Sequence, residues 1–108
     1  MTTEYTAVIP FYLGVEALGQ TVNRISCIPQ ISEIIVVIDN PLISDSFNWQ
    51  IICSKKLILL SCLVNSGPGY ARNFGMDIAT NDAIIFIDSG DYVSSEYIEY
   101  IDSHYSKL

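Results

Sequence analysis

Cations are scarce in this chain: five Lys and Arg stand against twelve Asp and Glu in 108 residues, a formal net charge of −7, with one histidine. Phosphate backbones are held by clustered Lys and Arg, so the scarcity argues against DNA or RNA as a partner. Charged residues are only 16% of the chain while half of it is hydrophobic. That balance excludes a disordered tail, because enough apolar surface exists to offset the entropy of ordering. No Pro/Gly/Ser-rich linker, repeat or low-complexity segment divides the sequence, so residues 1–108 read as one domain. A domain of this size buries roughly 60–70% of its unfolded surface, which predicts modest stability.

Long apolar runs are missing too. The longest, residues 57–64, is interrupted by Ser61 and falls short of the roughly 18 residues that a membrane helix needs. The start, Met1-Thr2-Thr3-Glu4, lacks the basic region of a secretion signal. Cys27, Cys53 and Cys62 form no C-x-x-C pair, leave one thiol over in any disulfide scheme and have apolar neighbours. They are expected to be reduced core residues, and the expected location is cytoplasmic. With His104 the only histidine, and late in the chain, no Ser/His/Asp or Cys/His arrangement can be drawn. His104 and Trp49 read as structural.

What is present is alternation. Residues 5–9, 33–38, 57–64 and 83–87 are short, nearly continuous runs of Val, Ile and Leu, the pattern of strands buried on both faces in a parallel sheet. Between the first two, Val15, Leu18, Val22 and Ile25 draw one apolar stripe on a helix that Pro29 helps to end. Between the last two, Pro68 suits a first helical position, with Ala71, Phe74, Gly75 and Ile78 on one face and Asn81-Asp82 as the turn. A last helix is predicted from about Ser94-Ser95-Glu96, burying Ile98 and Ile101, and residues 41–56 read as a loop and short helix around Trp49, Ile51 and Ile52. The expected fold is α/β: an open, mostly parallel sheet with helices on both faces and right-handed crossovers.

In such a sheet every strand's carboxyl end lies on one edge, where ligands bind. Those ends carry Pro10-Phe11-Tyr12, Asp39-Asn40, Asn65-Ser66-Gly67-Pro68-Gly69 and Asp88-Ser89-Gly90-Asp91. Asp88 and Asp91 flank a tight turn; either a hard cation such as Mg²⁺ or Mn²⁺ relieves their repulsion, or Asp88 caps the turn and Asp91 is solvated. Gly67 and Gly69 open a helix, where they serve tight turning or a phosphate at the helix terminus. They are not the dinucleotide fingerprint, whose third glycine would fall at Arg72. Arg72 itself pairs with a diphosphate or with a surface acid. Asp39 accepts from a base or ribose, or closes an Asx turn with Asn40. Tyr12 stacks on a base or roofs the core.

Four stretches together resemble the N-terminal nucleotide-binding half of family 2 glycosyltransferases, a Rossmann-like GT-A fold, over nearly the whole chain. They are Val8-Ile9-Pro10-Phe11-Tyr12, Glu33-Ile34-Ile35-Val36-Val37-Ile38-Asp39, the run from Asn65-Ser66-Gly67-Pro68-Gly69 through Tyr70-Ala71-Arg72-Asn73-Phe74-Gly75, and Ile85-Phe86-Ile87-Asp88-Ser89-Gly90-Asp91-Tyr92. The resemblance implies binding of a nucleotide-diphosphate sugar, a UDP-sugar first among them, with Mn²⁺ or Mg²⁺ bridging the diphosphate to the acidic loop. By that likeness Pro10, Phe11 and Tyr12 line the base pocket and Asp39 bonds the base. Gly67, Arg72, Asp88 and Ser89 complete the nucleotide site, and Asp91 with Asp88 holds the metal. The implied reaction is metal-dependent, mostly inverting sugar transfer to the hydroxyl of a saccharide or lipid-linked acceptor.

The departures are specific. Gly90 stands where the family commonly has a third acid, Ile38 where it has the first acid of an Asp-Asp pair, Leu13 where an asparagine follows the tyrosine, and Asn40-Pro41-Leu42 where Gly-Ser-Thr is frequent. No residue matches the family's catalytic base, which lies in the acceptor-binding half expected beyond Leu108. The alternative reading is a truncated or degenerate non-catalytic module that keeps the fold for nucleotide or protein binding, including self-association as a homo-oligomer through a sheet edge.

Overall fold

The computed structural model describes residues 3–12, 14–39, 56–61 and 68–105. Within them lie four strands, β1 (Tyr5–Phe11), β2 (Ile31–Ile38), β3 (Lys56–Ser61) and β4 (Ala83–Phe86), and three helices, α1 (Val15–Ile25), α2 (Pro68–Ile78) and α3 (Ser95–Tyr105). The strands form one sheet in the order β3-β2-β1-β4, and every pair is parallel. Val8 of β1 is level with Ile35 of β2 on one side and Phe86 of β4 on the other. The expected α/β sheet with helices on both faces is what forms.

Strand alternation sorts the side chains into two layers. Ala7, Ile9 and Phe11 of β1 join Ile34, Val36 and Ile38 of β2 under Leu18, Val22 and Ile25 of α1 and Ile98 of α3. On the other face Val8, Ile35 and Val37 meet Ala71 of α2, with Phe74, Ala79 and Ile84 packed around them. Each such Val, Leu or Ile contributes about 1.5–3 kcal/mol by leaving water. Helix α3 begins as its sequence predicts, the Ser94 hydroxyl accepting the Tyr97 N–H at 3.1 Å, and its far end is tied to β1 by Tyr5 O–H donating to Asp102 at 3.1 Å.

Two expectations are corrected. Ile78 is 40% exposed rather than on the buried face of α2. Ala79, one residue on, packs against that face of the sheet instead, and the chain beyond it is held by polar groups, Thr80 on Glu33 and Asn81 on Thr6. Cys27 is an exposed free thiol and not a core residue, because it falls in the turn after α1, with Sγ 3.5 Å from the Asn23 carbonyl. Cys53, Cys62, the segment around Trp49, and Asn65, Ser66 and Gly67 lie outside the described residues. Among the described residues no helix is long and apolar enough to cross a membrane.

Candidate functional site

The chain leaves β1 toward β2 and β3 on one side, then returns through α2 to β4 on the other. The carboxyl ends of β1 and β4 therefore flank the point where strand order reverses, the place where open α/β sheets take ligands. Backbone bonding shows how the strands part there. Phe11 C=O accepts the Asp39 N–H at 2.8 Å on the β2 side, and Val8 C=O accepts the Ile87 N–H at 3.0 Å on the β4 side. Because bonding alternates along a strand, Pro10 falls on the β4 side, and its missing N–H ends that ladder. The chain after Ile87 is thereby released from the sheet, and the next residue is Asp88.

The candidate residues fall around this opening. The Phe11 ring is 1% exposed within the core, so it anchors the end of β1 and presents backbone rather than a ring face at the edge. Tyr12, in the bend beyond, is 51% exposed. Pro10 is half-buried, and Asp39, directly after β2, is 5% exposed. Asp88 and Asp91 close one turn, the Asp91 N–H donating to the Asp88 carbonyl at 3.0 Å. Between them Ser89 keeps a buried Oγ with no hydrogen-bond partner among the described residues, and Gly90 adopts φ +94°. Arg72, one turn into α2, reaches across to this loop and donates to Asp88 Oδ1 at 3.2 Å. Of the two partners weighed for Arg72, the acid is the one the structure shows it holding.

A divalent cation suits these donors under one condition. Among the described residues no group of three or more His, Cys, Asp or Glu could hold a metal ion. Mg²⁺ and Mn²⁺ are, however, commonly held by one or two carboxylates plus waters and substrate phosphates. Asp88 and Asp91 on their shared turn fit a cation that arrives with a diphosphate.

Three features escaped sequence reasoning. Thr21 is a buried hydroxyl on the apolar stripe of α1, and it accepts the Gly90 N–H at 2.8 Å. Arg24, farther along α1, lies 4.6 Å over the Tyr92 ring. Glu33 is a carboxylate buried at the opposite edge of the sheet, accepting from Thr6, from the Thr80 N–H and from the Thr80 hydroxyl. The available signals were a threonine three residues after Leu18 on a buried stripe and a charge inside an otherwise apolar strand.

Similarity to known proteins runs the same way. The chain is 38% identical over 45 residues to an uncharacterized glycosyltransferase of Haemophilus influenzae, a stretch covering 42% of this chain and 18% of that protein. The solved structure of residues 1–349 of TarS from S. aureus superposes with a TM-score of 0.70 at 18% identity, covering 97% of this chain and 33% of that one. The chain thus spans about a third of that structure's length. The model of glycosyl transferase family 2 matches residues 6–106, and the chain belongs to that family.

Proposed function

We propose that this chain is the donor-binding part of a glycosyltransferase, capturing a nucleotide-diphosphate sugar at the carboxyl edge of its sheet. The observation that carries the reading is the convergence at one edge of an exposed ring, Tyr12, a buried carboxylate, Asp39, and a turn that holds Asp88 and Asp91, with the Arg72 guanidinium on Asp88. Tyr12 stacks on the base and Asp39 accepts from it, at the adjacent ends of β1 and β2. Arg72 exchanges Asp88 for the diphosphate, a bidentate acceptor that suits a guanidinium better than one carboxylate oxygen. Asp88 and Asp91 hold Mn²⁺ or Mg²⁺. When bound, the cation offsets the charge that develops on the departing diphosphate. The acceptor is a hydroxyl of a saccharide or of a lipid-linked molecule, and no described residue is assigned as the base that deprotonates it.

Thermal unfolding with UDP, GDP, CDP and TDP, each with and without Mn²⁺, tests this. At a hundredfold excess over Kd, binding stabilises by about 2.7 kcal/mol. A domain of this size then shifts upward by about 10–20 °C. One nucleotide, with UDP the first expectation, shifts the transition only when metal is present, and Asp91→Asn removes the shift. A flat panel from a folded sample favours a non-catalytic module instead.

A further inference from the structure

We propose that Thr21 is a positioning residue that sets the acidic turn of residues 88–91 before any ligand arrives. The inference rests on the donor-binding reading of that turn. Thr21 is 1% exposed, and its hydroxyl makes contacts in two directions. It donates to the Ala17 carbonyl at 3.0 Å and accepts the Gly90 N–H at 2.8 Å. A hydroxyl has one proton, and a carbonyl can only accept. The proton is therefore committed to Ala17, leaving a lone pair aimed at Gly90.

Space is not what requires glycine at 90, since an added β-carbon would sit 3.7 Å from Ala17 Cβ, an ordinary contact. Conformation is: φ of +94° is a region that side chains rarely adopt. Thr21 and that φ act on the two sides of one residue: the hydroxyl fixes the Gly90 N–H, and the left-handed φ sets the direction in which the chain leaves it toward Asp91. Three residues farther along the same helix, Arg24 covers the Tyr92 ring at 4.6 Å. Asp91 thus stands between two attachments to α1, while Asp88 is held from the other side by Arg72. At the third place of the turn this chain has no side chain but a backbone N–H fastened to a buried hydroxyl. The turn is ordered by the protein rather than by its ligand, so cation and diphosphate meet carboxylates already in place.

The test compares the chain with Thr21→Val, which keeps shape but loses the acceptor, and Thr21→Ser, which restores the hydroxyl. Thr6→Val, a buried threonine at the opposite edge, controls for stability alone. In the ligand-free chain the Gly90 amide is expected to exchange about a hundredfold slower than an open loop amide. Thr21→Val abolishes that protection and moves the Asp88–Asp91 amide resonances, and Thr21→Ser recovers both. With Mn²⁺ and the nucleotide, Thr21→Val weakens binding about 10–100-fold. Thr21→Ser and Thr6→Val stay near the parent. An unprotected Gly90 amide, unmoved turn resonances in Thr21→Val, or equal losses of affinity in Thr21→Val and Thr6→Val would overturn the proposal. If the parent binds no nucleotide, the donor-binding reading fails by itself, and the ligand-free amides still decide whether Thr21 sets the turn.

Discussion

Gly75 of α2 lies against Val8 of β1 with no room for a side chain between them: a β-carbon at Gly75 would stand 2.5 Å from one Val8 methyl and 3.2 Å from Val37 Cγ2. The sheet-facing surface of α2 can approach the strands this closely because residues 71 and 75 are Ala and Gly. Gly75→Ala removes a flexible helix residue, a gain of about 1 kcal/mol, but drives a methyl into packed valines, a loss of about 1–3 kcal/mol. The clash is with the core of the central strand, so the loss prevails. Thermal unfolding should show Gly75→Ala melting several degrees below the parent, and the loss caused by Gly75→Ala should be smaller when measured in a Val8→Ala background than in the parent.

At the amino edge of the sheet, Glu33 binds the α2–β4 connection. Its Oε1 accepts from Thr6 at 2.8 Å and from the Thr80 N–H at 2.9 Å, and its Oε2 accepts from the Thr80 hydroxyl at 3.0 Å. Asn81 extends the network by donating to Thr6 at 3.1 Å and to Ser32 at 2.9 Å. Glu33→Ala leaves these donors without that acceptor inside the protein and should destabilise by at least about 2 kcal/mol. Glu33→Gln, which retains one carbonyl oxygen, should lose less. Denaturant titration ranks the two, and hydrogen exchange should show the Thr80 amide opening first in Glu33→Ala.

Gly90→Ala should destabilise by about 1–2 kcal/mol, because the left-handed backbone rather than crowding is what its β-carbon meets, and Gly90→Asp should destabilise too, through the same backbone strain. Restoring an acid at the third place is therefore not expected to improve metal binding in proportion to the charge added. Denaturant midpoints measured beside Mn²⁺ affinities test both halves of the statement.

The Arg72–Asp88 pair joins side chains that are 37% and 63% exposed, so its contribution to stability is small, about 0–1 kcal/mol. Arg72→Met should leave the melting temperature within a few degrees of the parent. Its effect belongs to binding: losing a charge-assisted contact to diphosphate, about 1.5–3 kcal/mol, corresponds to a drop in affinity of roughly ten- to over a hundredfold. Calorimetric titration of the nucleotide into both proteins measures it.

The scaffold was legible because parallel strands buried on both faces are written as unbroken Val/Ile runs, and because Leu18, Val22 and Ile25 repeat at helical spacing. The carboxyl-edge residues were legible by position, each coming just where such a run stops. What the sequence hid was polar chemistry inside apolar patterns. Thr21 and Glu33 sit in stretches whose periodicity says core, and only the strand order brings Gly90 to one and Thr80 to the other. Ile78 shows the converse: helical spacing places it on the buried face, yet it is exposed and Ala79 packs against the sheet instead. Cys27 belongs to a turn whose direction no periodicity reports.

The most direct measurement is paramagnetic broadening of backbone amides by substoichiometric Mn²⁺ in the presence of the nucleotide diphosphate that stabilises the chain best. Donor capture at the carboxyl edge predicts broadening centred on Asp88, Ser89, Gly90 and Asp91, extending to Tyr12 and Arg72, while Ser32, Thr80 and Asn81 at the opposite edge stay sharp. Broadening centred instead on the acidic surface of α3 at Glu96 and Glu99, or no broadening at all, would contradict it.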